Sequence, residues 1–284
     1  MIKVLPFIIL LVAIFFDGDQ IYLPWNLDSF GETIIWSLRL PRTMTAFMVG
    51  GVLSLSGLIY QSLFKNDLAS PYTLGMASSA SFGACVAIFV AMASWAPLFA
   101  IIGCLLNLFI IFSLFKYDQD KKGHVIILTG VILSYLFSSL VILMQVLSSN
   151  SELRQMISWI LGDLNIVGYE GLTVCSFSAL AIILTTFWRG KDLSYISVGD
   201  HFARNNNVKV EQRKLLFVLI SSFCVALIVS VCGPIGFVGI IVPHFVKKIN
   251  GARVDKIYFV TFLYGGTFLV ICEYLLFMNN VSIG

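Results

Sequence analysis

Residues 189–214, RGKDLSYISVGDHFARNNNVKVEQRK, form the one long stretch of this chain that belongs in water. Around it, 58% of the 284 residues are hydrophobic and only 12% are charged. With a mean hydropathy of +0.94, that composition excludes an ordinary soluble globule. The expected fold is an all-α polytopic membrane protein. Residues 1–284 make a single transmembrane domain, with 189–214 a cytoplasmic loop inside it. Within the loop, Tyr195, Val198 and Phe202 fall at i, i+3 and i+7, a spacing that predicts a short helix with one apolar face. Asn205, Asn206 and Asn207 follow, and asparagine tolerates the left-handed backbone that ends a helix. Such a knob either docks a partner protein or merely joins two spans, and spacing leaves both open.

On either side of the loop the apolar runs have membrane-crossing length. Val4–Phe16 is expected as an uncleaved first span, since Asp17, Gly18 and Asp19 stand where a cleavage site would need small residues. Further spans are expected at Thr43–Leu63, Tyr72–Ala93, Pro97–Phe115, Val125–Leu147, Leu172–Trp188, Leu215–Val231, a short one at Val238–Val246, and Ile257–Met278. That makes nine. Met156–Leu161 is too short to cross and reads as a half-buried surface helix. Gly75, Ser79 and Gly83 recur every four positions, which lets a neighbouring helix approach closely. Gly233, Pro234 and Gly236 interrupt the pattern, because proline and two glycines cannot continue a regular helix. Broken backbone at membrane depth needs protein or a water-filled cavity to cover it, so this turn is expected near a translocation path.

Alternating the sides of successive spans, with the N-terminus inside, sends fifteen of the 18 lysines and arginines to one face and leaves only Arg39, Arg42 and Arg154 on the other. The basic face is the cytoplasmic one. Arg39 and Arg42 are three apart and would point the same way on a helical turn. They serve either as anchors to lipid headgroups or as a docking point for carboxylates of an external protein, for which the planar guanidinium fork is suited.

Several chemistries find no residues here. The net charge of +3 is small and forms no basic stripe with stacking aromatics, so nucleic acid is not an expected partner. Cys85, Cys104, Cys175, Cys224, Cys232 and Cys272 lie in apolar spans without ligand spacing and read as small hydrophobes. No metal or cofactor is expected. No G-x-x-x-x-G-K-[ST] loop occurs, so energy must come from a partner or an ion gradient. His124, His201 and His244 pair with no nucleophile, and the chain is not expected to be an enzyme. A proton-coupled secondary transporter remains the alternative. Its one candidate is Glu273, a carboxylate inside a span with no evident partner.

Four stretches in order resemble the permease family of iron-siderophore, haem and cobalamin ABC importers, the FecCD-type, type II importers. They are Leu38-Arg39-Leu40-Pro41-Arg42 continuing through Gln61 to Asn66–Pro71; Trp159-Ile160-Leu161-Gly162; Leu193 with Gly199-Asp200, Ala203-Arg204 and Val208; and Gly233–Gly239 followed by Ile241-Val242-Pro243-His244. The resemblance implies a helical bundle of ten spans, of which nine are expected here. It also implies a second permease subunit, two cytoplasmic ABC ATPases, an extracytoplasmic substrate-binding protein and an iron-chelate cargo. By the same resemblance, Gly199, Asp200, Phe202, Ala203 and Arg204 look like the coupling helix that seats in an ATPase, and Arg39 and Arg42 look like the binding-protein contact. Asn207 stands where the family has glycine. Val281–Gly284 resembles the motif before the family's last helix, so a tenth span is expected to be missing.

Overall fold

The computed structural model describes residues 13, 16–17, 20–21, 34–117, 123–164, 168–251 and 253–281. The expected first span lies outside these, apart from its end, where Phe16–Asp17 (β1) pairs antiparallel with Gln20–Ile21 (β2). Residues 118–122, between the fourth and fifth expected spans, and residues 282–284 of the C-terminal motif also lie outside them. The rest is an all-α bundle. Its ten helices are α1 Leu40–Phe64, α2 Met76–Phe89, α3 Ala96–Tyr117, α4 Gly123–Leu147, α5 Asn150–Leu161, α6 Glu170–Val198, α7 Asp200–Asn205, α8 Val210–Cys232, α9 Val238–Asn250 and α10 Val254–Val281.

Among the described residues, six helices are long and apolar enough to cross a membrane: α1 with the π-helical turn before it, α3, α4, α6, α8 and α10. Two of the expected spans are shorter. α2 has 14 residues, about 21 Å at 1.5 Å per residue, against a hydrocarbon core of ~30 Å. Its missing turn is the separate 3₁₀ segment Tyr72–Leu74, split off because Gly75 takes a left-handed φ of 82°. α9 has 13 residues and outruns its expected end at Val246 by a turn that carries Lys247 and Lys248.

α1 is the pole of the bundle. In its most apolar window 83% of residues are buried, against 22% for α4, so α4 presents most of its surface outward and α1 almost none. Pro41 sits in the first turn, where its missing N–H costs nothing. The helix ends at Lys65, whose left-handed φ of 52° turns its N–H back onto the Gln61 carbonyl. Small residues let partners close on this pole. A Cβ added at Gly57 would lie 2.6 Å from the Gly239 carbonyl carbon of α9, and one at Gly50 would lie 2.9 Å from that of Gly265 in α10. Ser79 and Gly83 do bring α2 against a neighbour: Gly103 of α3 abuts the Ser79 backbone, and Gly83 abuts that of Phe99.

Two readings of the sequence are corrected. The half-buried helix is longer than Met156–Leu161. It begins at Asn150 under a capping box in which the Ser149 hydroxyl accepts from Glu152 N–H and the Glu152 carboxylate accepts from Ser149 N–H. The S-x-x-E signature was there to be read. The water-facing stretch is also not a loop throughout. α6 runs ten residues past Trp188, ending at Val198, so Tyr195 and Val198 belong to α6 and Phe202 to α7.

Candidate functional site

α7 is a six-residue helix set off from α6 by Gly199 and from α8 by Asn207. Asn207 holds a φ of 59°, so the asparagine run does end this helix in the left-handed region. The Tyr195 ring meets Phe202 edge-on, with centroids 5.8 Å apart, which restores one apolar face across the break. Val198 and Phe202 on that face are 70% and 46% exposed, and His201 and Arg204 are exposed beside them. Ala203 is wholly buried and serves as the contact through which α7 lies on the bundle.

Asp200 turns inward. Its Oδ1 accepts from Lys65 Nζ at 3.3 Å and its Oδ2 from Lys214 Nζ at 2.6 Å, so it joins α7 to the end of α1 and the first turn of α8. Burial pushes the Asp200 carboxyl up, but the two ammonium groups outweigh that and hold it below the usual carboxylate range. The five residues singled out for coupling thus divide. Phe202 and Arg204 face outward, while Gly199, Asp200 and Ala203 build the seat. Beside α7 an open cavity of about 630 Å³ is bordered by Lys65, Lys247, Lys248 and His244, with Asp67 between them.

Arg42 and Glu273 meet about 35 Å away, a distance set by the 23 residues along α1 from Arg42 to its cap Lys65 at 1.5 Å each. Arg42 Nε stands 2.5 Å from Glu273 Oε1, and the carboxylate side chain is only 9% exposed. Arg39 lies near enough to act on the same carboxylate. Glu273 is therefore not the partnerless acid expected.

The broken turn is where sequence and structure agree most closely. Gly233 takes a left-handed φ of 69°, and a Cβ there would sit 2.7 Å from Gly162 Cα. Asp163 N–H donates to the Cys232 carbonyl at 2.8 Å, so the end of α5 locks the C-terminal end of α8. Pro234 follows, Gly236 has open space around it, and Phe237 holds a left-handed φ of 67° while 75% exposed. Two residues not given a role from sequence fasten this segment and the start of α9, and a third fastens the 3₁₀ turn at Tyr72–Leu74. Tyr72 Oη accepts from Ile235 N–H at 3.1 Å. Gln61 Nε2 donates to the Ile240 carbonyl at 3.2 Å, and Asn107 Nδ2 donates to Leu74 O at 2.8 Å. The signal was present in each case, a side chain with hydrogen-bonding capacity inside an apolar run.

The sequence model of the FecCD transport family matches residues 5–280. The chain belongs to the FecCD transport family. This FecCD chain is 33% identical over 260 residues to the molybdate import system permease protein MolB of Haemophilus influenzae, covering 87% of the chain and 74% of that protein. It is 33% identical over 228 residues to the hemin transport system permease protein HmuU of Yersinia pestis, covering 77% and 67%, and 30% identical over 235 residues to the vitamin B12 import system permease protein BtuC of Klebsiella pneumoniae, covering 81% and 70%. A solved structure described as an inward-facing conformation of a metal-chelate type ABC transporter superposes with a TM-score of 0.85 at 28% identity, covering 96% of this chain and 88% of that one. Like its relatives, this FecCD chain is a multi-pass permease of the ABC importer kind, a class without an ATPase site of its own.

Proposed function

We propose that the chain is the permease subunit of an ATP-driven importer whose cargo is an iron chelate: a siderophore, or a haem- or cobalamin-like molecule. Relatives named for hemin, vitamin B12 and molybdate support the importer class and leave the cargo broad. The iron assignment rests on the order of motifs in the sequence. The observation that carries the reading is α7, a short helix held by an internal clamp while Val198, Phe202, His201 and Arg204 stay exposed. An apolar ridge with a flanking charge, raised from a polar face, suits a groove on a soluble partner.

The partners in this reading are two copies of a cytoplasmic ABC ATPase, a second permease subunit of the same or a sister chain, and an extracytoplasmic binding protein, all assembled in the lipid bilayer with the N-terminus inside. Phe202 and Arg204 touch the ATPase. Arg39 and Arg42, gathered at Glu273, meet acidic groups of the binding protein, and the turn at Gly233, Pro234 and Gly236 borders the path. Reconstitution of the complex in proteoliposomes tests this. Uptake should require ATP inside, and Phe202→Asp should release the ATPase while the bundle stays folded, because the partner's groove would then hold an unpaired charge at a cost of ~3 kcal/mol or more. Uptake driven by a pH gradient alone, or full retention of the ATPase by Phe202→Asp, would refute the reading.

A further inference from the structure

An unbroken series of contacts joins α7 to the broken turn, and Asp200 is its first link. The Lys65 ammonium that it holds at 3.3 Å belongs to the C-terminal cap of α1. One and two turns further along α1, Gln61 donates to the Ile240 carbonyl and Gly57 presses on the Gly239 backbone. Both contacts fall in the first turn of α9, directly after the turn whose Ile235 N–H is held by Tyr72. From Lys65 to Gly57 is eight residues, about 12 Å along a rigid helix. α7 itself has little to grip with. It is six residues long with one fully buried side chain, Ala203, and its ion pair apart from those of Asp200, Arg204 to Glu211 at 2.6 Å, is formed by side chains 56% and 68% exposed.

We propose that Asp200 is a positioning residue that fastens α7 to the inner end of α1, so that a displacement of α7 by the ATPase reaches α9 and the 233–237 turn through α1. The inference rests on the permease reading above. Its physical basis is the contrast between the links. The α1–α9 contact is backbone against backbone and cannot slip without separating the helices, whereas α7 rests on Ala203, one edge-on ring contact with Tyr195 and an exposed ion pair to Glu211, and would slide on these if the carboxylate let go. Lys214 holds the other oxygen of Asp200 and leads into α8, but the far end of that helix at Cys232 is locked in place by Asp163 of the segment after α5. The route to the turn therefore runs through Lys65. Because the Asp200 and Lys65 side chains are 34% and 42% exposed, the pair adds little to folding, and its loss should show in coupling and not in assembly.

The test uses the whole complex in proteoliposomes, charged with the chelate that the binding protein carries, and reads substrate moved per ATP hydrolysed. Asp200→Asn and Lys65→Gln should each lower that ratio about fivefold or more, the size of an ordinary coupling between sites, with the ATPase still co-purifying. Asp200→Glu should restore most of it. Lys214→Gln, which cuts the clamp on the α8 side, should leave the ratio near wild type. A wild-type ratio in Asp200→Asn or Lys65→Gln would overturn the proposal, and so would an equal loss in Lys214→Gln, which would make the clamp a general support of α7. A wild-type complex that imports without ATP would instead overturn the permease reading on which the proposal stands.

Discussion

Replacing Gly57 by alanine is the sharpest probe of the bundle. The new Cβ would stand 2.6 Å from the carbonyl carbon and 2.9 Å from the Cα of Gly239, with the carbonyl oxygen nearer still. Ordinary contact begins at 3.4 Å, so α1 and α9 must move apart by at least 0.8 Å, the gap between those distances. Neither partner is the flexible end of a side chain. The strain can be relieved only by shifting a helix, which also stretches the Gln61 to Ile240 hydrogen bond of 3.2 Å beyond useful length. Overpacking of this kind costs roughly 1–3 kcal/mol, and a strained buried amide adds about 1 kcal/mol. Together these lower the unfolding midpoint by about 4–16 °C, at ~2–4 °C per kcal/mol for a chain of this size. The assay is thermal unfolding of the purified chain in detergent beside Gly239→Ala, whose Cβ would meet the Leu53 carbonyl oxygen at 2.9 Å and should cost less. A Gly57→Ala protein as stable as wild type, or one more stable than Gly239→Ala, would refute the packing described here.

Two further outcomes follow from the charged groups. Arg42→Ala leaves the nearly buried Glu273 carboxylate uncompensated and should destabilise the chain by ~2 kcal/mol or more, while Arg42→Ala combined with Glu273→Gln should recover much of the loss; additive effects in unfolding midpoints would mean that the pair is not coupled. Because the folded-state pKa of Asp200 is depressed by Lys214 and Lys65, its contribution is complete above the unfolded value of ~3.9 and is lost only as pH falls through the lower, folded value. Substrate moved per ATP should therefore stay level from about pH 8 to pH 5 as far as this group is concerned, and a fall in that ratio with a midpoint near pH 6 would contradict the clamp.

Helices were legible because burial in lipid leaves a long apolar run as their record. Val125–Leu147 and Leu215–Val231 reappear almost residue for residue inside α4 and α8. Runs failed as a guide where polarity and helicity part company. Residues 189–198 carry arginine, lysine and aspartate and read as loop, yet nothing there breaks a helix until Gly199, so α6 continues into water. The opposite error came at Tyr72–Ala93, apolar throughout, where Pro71 and the left-handed Gly75 cut the run and leave α2 too short to cross.

Contacts between motifs were hidden for a different reason. A periodic pattern reports on neighbours three or four residues apart, whereas Lys65 and Asp200 are separated by 135 positions, Tyr72 and Ile235 by 163, and Gln61 and Ile240 by 179. What the sequence did contain was the demand for such partners. A glutamine, a tyrosine and a glutamate in apolar runs must each be satisfied somewhere, since an unpaired polar group away from water costs ~2 kcal/mol or more. α1 collects those debts. It meets Glu273 near its N-terminal end through Arg42, α9 in its C-terminal half through Gln61, and α7 at its C-terminal cap through Lys65. A helix so deeply buried has few ways to move except as a rod, and polar links at both of its ends give an event on one side of the bundle a mechanical connection to the other.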